Sequence, residues 1–393
     1  MATQTTEMHD SSRTMEGEAP ELDMAAAERF GERFMGALNE GAMVVMTSIG
    51  HRTGLFEVLA GLDGAATSEE VAEKAGLDER YVREWLAAMT AAGVMELATG
   101  PDAGAGPHLA TDSEAASGSP LRYRLPAEHA VMLTGSEDNL AVFAQYIPGL
   151  SKVEDDVIRC FHEGGGVPYE QFPRFHEVMA EDSAQTVVAA LHDRILPLIP
   201  GIEERLKSGI RVLDVGCGRG RALLELAATY PASEFVGYDL SDEAIQWGRA
   251  RALERGLTNV TLETRDVTDF DETAEPAAFD FVTTFDAIHD QARPGAVLRG
   301  IHRTLRPGGV YLMQDIRASS HVHENLNHPI ATLLYTVSCL HCMTVSLAQG
   351  GEGLGTMWGR QRALGLLEDA GFTSVEIREL EHDFMNDFYV VRP

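Results

Sequence analysis

Apolar and polar positions follow a helical period through the first half of the chain and a mixed period through the second. Helical spacing predicts helices over Ala25–Met46 and Ile49–Leu62. Thr67 or Ser68 can cap a further helix, Gly76 and Leu77 make a turn, and a second helix starts at Asp78. Residues 67–97 therefore read as a helix-turn-helix. A Gly- and Ser-rich loop follows over 99–120, and 122–133 supplies the strand that would complete a wing. Residues 169–199 return to helical spacing, with Met179, Val187, Leu191 and Ile195 on one face as core, and His176 and His192 read the same way.

From residue 210 onward, short apolar runs of strand length alternate with helix formers. Ile210 to Leu213 is such a run, ending at Asp214, and Ala222 to Ala228 is a helix rich in Ala, Leu and Glu. Further strands fall in 234–241, 260–270, 279–290 and 305–316, and a last helix and two strands in 366–380 and 387–393. Seven strands alternating with helices make an α/β domain.

Between the first strand and its helix stand Gly216, Gly218 and Gly220, which allow positive φ and let a ligand approach the backbone. A dinucleotide fingerprint wants glycine at 216, 218 and 221, and position 221 is Arg, which counts against NAD. Asp239 ends the second strand, where a carboxylate can accept bonds from both ribose hydroxyls, and Asp266 ends the third, facing an adenine amino group.

These features, with the Pro-Gly-Gly turn at 307–309 and Ala-Gly-Phe at 370–372, stand in the order found in class I S-adenosylmethionine-dependent methyltransferases, which residues 195–393 resemble. The resemblance implies a Rossmann-like seven-stranded methyltransferase domain over 201–393 that binds S-adenosylmethionine. The cofactor residues it implies are Asp214, Gly216, Cys217, Gly218, Gly220, Asp239, Leu240, Asp266, Val267, Phe285 and Asp286. The mainly α-helical unit over 25–150 resembles the winged-helix dimerisation domain attached to many small-molecule methyltransferases, which implies a homodimer. Residues 1–24 read as a disordered acidic tail and 151–200 as a helical linker and cap.

Composition narrows the function further. The formal charge is −30, with three lysines against 28 arginines, a balance that fits either a salty cytoplasm or a GC-rich genome. From Asp63 to Glu96 there are eight acids and three bases, so phosphate would be repelled and nucleic acid is not an expected partner. No run of about 18 apolar residues suggests a membrane span, and the polar first thirty residues are unlike a signal peptide, so a cytoplasmic location is expected. The four cysteines do not form a disulfide framework.

Two segments carry candidate chemistry. His289 and Asp290 lie just past the fourth strand, where a histidine can act as general base with Asp290 or Asp286 holding its ring. A loop histidine bonded to backbone is the alternative. Residues 317–357 form an insert longer than a plain version of the fold needs, with a helix opening near Pro329 and running to about Gln349, and read as a lid. Cys339, His341 and Cys342 could share a metal, yet no second ligand pair stands at matching spacing. Pocket lining or core is the expected role, and no metal is assigned. The reading is methyl transfer to an O, N or S nucleophile of a small molecule; a cofactor-sensing DNA-binding regulator is the alternative.

Overall fold

The computed structural model describes residues 22–98, 120–135 and 138–393. Most of the expected acidic tail and of the loop over 99–120 lies outside them. Two compact units are present, Met1–Ala42 and Met43–Pro393. In the first, Leu22 and Asp23 lead into the helix Met24–Thr53, and Phe30, Phe34, Met35 and Leu38 are exposed on it.

In the second unit, Gly54 at φ +71° ends that helix and starts Leu55–Ala60. The expected break between Met46 and Ile49 is not there, because no proline or left-handed residue interrupts the helix before Gly54. Helices Ser68–Ala75 and Glu79–Ala91 follow, the first opened by a capping box between Thr67 and Glu70, the second capped by Asp78. Strands β1 (Glu96–Ala98) and β2 (Arg122–Arg124) pair antiparallel as the wing. The expected strand over 122–133 stops at Arg124. Pro126 instead caps a helix, Ala127–Leu133. Phe56, Trp85, Leu86, Met89 and Tyr123 form the core here, and the Trp85 indole donates to the Met46 carbonyl at 2.8 Å.

The larger sheet contains β3 (Arg211–Val215), β4 (Glu234–Asp239), β5 (Val260–Thr264), β6 (Phe279–Phe285), β7 (Leu305–Ile316), β8 (Ser374–Leu380) and β9 (Asp383–Arg392), in the spatial order β5-β4-β3-β6-β7-β9-β8. β9 alone runs opposite to the other six strands. Alternate side chains of one strand go to opposite faces. Val212, Phe281, Leu312 and Phe388 pack with Ile195, Leu206 and Leu223 on one side; Leu213, Val282, Met313 and Tyr389 pack with Ile301 and Leu367 on the other. Both faces are covered at the centre of the sheet, so the central strands β3, β6 and β7 are near-continuous buried runs, while the edge strands β5 and β8 are largely polar. The strand order reverses between β3 and β6, and such a switch point leaves a crevice at the carboxyl ends of the strands.

Two helical segments are built irregularly. The linker helix Phe175–Ser183 continues into π turns at Ala184–Val188 and Leu191–Ile195. The insert helix runs Ala331–Val337, takes a π turn at Ser338–Cys342 and ends with Met343–Ala348. By length and composition Ala331–Ala348 would also suit a membrane span. In this fold Val337, Leu340 and Val345 pack against Leu150, Val157 and Val167.

Candidate active site

The crevice at the ends of β3 to β6 holds a cavity of ≈ 570 Å³. Its floor begins at the turn after β3. Gly216 takes φ +74°, and a Cβ there would stand 2.5 Å from the Ala287 Cβ, so only glycine lets this turn pass the loop after β6. Gly220 opens the helix Arg221–Thr229 in the left-handed region.

The strand-end carboxylates are fixed by backbone. Asp239 accepts from the Gly218 amide at 2.7 Å through Oδ2 and from the Ser241 amide at 2.8 Å through Oδ1. This pins the glycine turn to β4 and leaves lone pairs free for hydroxyl donors. Asp266 accepts from the Thr268 amide at 2.8 Å. Asp214 is buried with only the Thr283 hydroxyl, 2.9 Å away, as hydrogen-bond partner, and burial raises its pKa to about 7. Cys217, Gly218, Leu240, Val267 and Phe285 also line the cavity. Burial likewise pushes the Cys217 thiol up. Gly220, the remaining glycine of the turn, shapes the backbone without facing the cavity. An acidic, hydroxyl-binding rim beside an open backbone turn fits an adenosyl group bearing a cationic centre.

Asp286 lines the same wall at φ +50°, an uncommon conformation for a residue with a side chain, and its Oδ1 is buried without a partner. Burial, then the nearby Asp315 carboxylate, raises its pKa well above the usual range. The opposite wall comes from the linker: Tyr169, Phe172, Phe175, His176, Met179 and Val187. His176, Met179 and Val187 are thus cavity-lining and not merely core, whereas Leu191 and Ile195 are core. Tyr169 closes the wall by donating to Asp290 Oδ2 at 2.6 Å, and burial raises Asp290 to about 6.

His289 sits behind this wall, 3% exposed. Its Nδ1 is 2.7 Å from Asp315 Oδ1, which also accepts from the Trp358 indole and the Ile316 amide, each at 2.9 Å. The expected partners Asp290 and Asp286 do not hold the ring. Asp290 is taken by Tyr169, and β7 lies beside β6 so that its end faces the loop after β6. Burial disfavours charge on His289, but Asp315 outweighs it and lifts the pKa well above 6.5. Asp315 and Trp358 are the members of this arrangement that the sequence reading does not single out. Among the described residues, no three His, Cys, Asp or Glu side chains converge as a metal site.

Residues 206–371 match the family model for a methyltransferase domain, and residues 41–103 that for an Rv2258c-like winged HTH domain. A ubiquinone biosynthesis O-methyltransferase of Pseudomonas syringae pv. tomato is 36% identical over 129 residues, 32% of this chain and 53% of that protein. A fatty-acid O-methyltransferase of Mycolicibacterium smegmatis is 34% identical over 116 residues, 30% of this chain and 40% of that one. The chain spans about half the length of the curated relatives it matches. Among solved structures, the mitomycin 7-O-methyltransferase MmcR aligns over 94% of this chain and 100% of its own, with TM-score 0.62 and 17% identity. Human N-acetylserotonin methyltransferase in complex with SAM aligns over 96% and 99%, with TM-score 0.61 and 16% identity. These two likenesses establish the fold. Residues 206–371 are therefore a methyltransferase domain of the class I fold, carried behind a winged helix-turn-helix domain at residues 41–103.

Proposed function

We propose that this protein transfers a methyl group from S-adenosylmethionine to a small molecule, with a hydroxyl oxygen as the favoured acceptor atom. The observation that carries the reading is the convergence of the glycine turn, Asp239 and Asp266 on one cavity at the switch point of a methyltransferase-family domain. The O-methyltransferase relatives support oxygen over nitrogen or sulfur.

When bound, the cofactor supplies a methyl group already activated on a sulfonium. The protein's part is to position, to keep water out and to manage one proton. Asp239 would hold the ribose hydroxyls and Asp266 the adenine amino group, with the Gly216–Gly218 turn giving close backbone approach. The linker wall from Tyr169 to Met179 covers the cavity, and the Tyr169 bond to Asp290 ties that cover to the sheet. His289 is the group we assign to take the acceptor proton, with Asp315 holding the ring and stabilising the imidazolium that results.

The same reading takes the protein to be a cytoplasmic homodimer without nucleic acid as partner. The exposed Phe30, Phe34, Met35 and Leu38 support association, and the eight acids against three bases between Asp63 and Glu96 argue against phosphate. The test is incubation with methyl-labelled S-adenosylmethionine and fractionated metabolite pools. Label transferred to a small molecule, and lost with Asp239→Ala, supports the reading. Sequence-specific DNA binding with no transfer to any pool would replace it with the regulator.

A further inference from the structure

His341 lies on the π turn Ser338–Cys342 of the insert helix, the kind of local widening that recurs at functional sites. Its imidazole is fully buried, and neither Nδ1 nor Nε2 has a hydrogen-bond partner. The ring stacks on Phe175 with centroids 3.4 Å apart and planes at 14°, and meets Phe172 at 4.7 Å and Tyr169 at 5.3 Å edge to face. All three rings line the ≈ 570 Å³ cavity, and Phe172 and Phe175 also line a second cavity of ≈ 110 Å³. The imidazole thus backs an aromatic wall shared by two cavities.

Burial, and then the neighbouring His176 and His289, hold the His341 pKa well below 6.5, so the ring is neutral at working pH. A neutral imidazole offers one donor and one acceptor. A buried polar pair left unmet is destabilising, and a core position would be filled better by phenylalanine or leucine. Unmet atoms directly behind cavity-lining rings are accounted for if a ligand reaches them. That ligand meets flat rings on several sides, so it is planar, and a hydroxyl on it can pair with one ring nitrogen whichever tautomer is present, because it both donates and accepts.

We propose that His341 is the recognition residue for the methyl acceptor, binding a hydroxyl of a planar molecule that displaces the Phe172 and Phe175 rings. This rests on the methyltransferase reading above.

The probe is catechol, titrated calorimetrically into the full-length protein saturated with S-adenosylhomocysteine, with benzene as the apolar control. His341→Phe keeps the stacked ring and deletes both polar atoms. It is expected to bind catechol at least tenfold more weakly than the wild type, with a melting temperature at or above the wild-type value. His341→Leu repeats the test with a smaller side chain, and His341→Gln, which restores a donor and an acceptor, is expected to recover part of the affinity. Unchanged catechol affinity in the Phe and Leu variants overturns the proposal. So does a wild type that binds benzene as well as catechol, or binds neither. Failure of S-adenosylhomocysteine itself to bind overturns the methyltransferase reading, and the proposal with it.

Discussion

Replacing Asp315 by Asn separates the charge of the buried pair from its shape. In the wild type, Asp315 Oδ1 accepts from His289, Trp358 and Ile316 within 2.7–2.9 Å, and both His289 and Asp315 are almost completely buried. Removing one member of such a pair leaves a buried imidazole whose positive charge is no longer compensated, at a cost of about 3–5 kcal/mol while that charge persists. Asparagine can keep the bonds from Trp358 and Ile316, so the lower end applies, about 3 kcal/mol.

The sign of the pH dependence follows from His289. Its folded pKa is raised above the unfolded value, so the stability it contributes is full below about pH 6.5 and is lost as pH rises through the folded value. In Asp315→Asn the largest interaction favouring the charged ring is gone while burial remains, so the His289 pKa falls and the variant sheds its imidazolium at lower pH than the wild type. The wild type should therefore exceed the variant by about 3 kcal/mol near pH 6. At alkaline pH the lead should shrink toward about 1 kcal/mol, the worth of one neutral hydrogen bond. Thermal or urea unfolding of the full chain from pH 5.5 to 10 reads this directly. A stability difference that stays constant across that range would refute the charged pair. Under the proposed function, activity of the wild type should climb with pH through the raised His289 value, and the variant's residual activity should have its limb at lower pH.

Other outcomes are equally direct. Asp239→Ala should weaken S-adenosylmethionine binding at least tenfold by calorimetry, since each hydrogen bond to a charged group is worth roughly 1.5–3 kcal/mol, and an unchanged titration would remove Asp239 from the site. Asp214→Asn should be more stable than the wild type at pH 8 and equal to it near pH 4. Its folded pKa of about 7 lies above the unfolded value, so folding of the wild type weakens as pH climbs between the two, and a variant less stable at pH 8 would contradict this. A Phe30→Asp, Phe34→Asp double variant should run as a monomer in light scattering where the wild type runs as a dimer; identical masses would show that this helix face is not the interface.

The parts of this molecule most legible in the sequence are those set by residues close together along the chain. Strands β3, β6 and β7 read as apolar runs because both sheet faces are covered there, and the turn after β3 reads from three glycines because each takes positive φ. Asp239 and Asp266 are legible for the same reason, since each bonds an amide two residues on. The winged-helix caps at Thr67 and Asp78 are local as well. The strand expected over 122–133 goes wrong where local propensity is balanced: three residues pair across the wing, and Pro126 then turns the remainder into a helix.

What escapes is contact between segments that only the sheet brings together. Asp290 stands beside His289 in sequence and looks like its partner, but consecutive residues leave a loop in different directions, and Asp290 reaches out to Tyr169 while His289 turns inward. The residue that meets the ring, Asp315, is 26 positions away on the adjacent strand, and Trp358, which shares that carboxylate, comes from beyond the insert. A strand end is thus readable as a functional place, but its partner is set by which strand lies next to it. That identity follows from the order β3-β6-β7, which the pattern of apolar runs does not contain. The same limit applies to the linker, where helical spacing marks Met179 and Val187 as apolar face without saying what that face meets. The π turn that starts at Ala184 turns the helix between the two, so that Met179 and Val187 reach the cavity while Leu191 and Ile195 pack beneath the sheet.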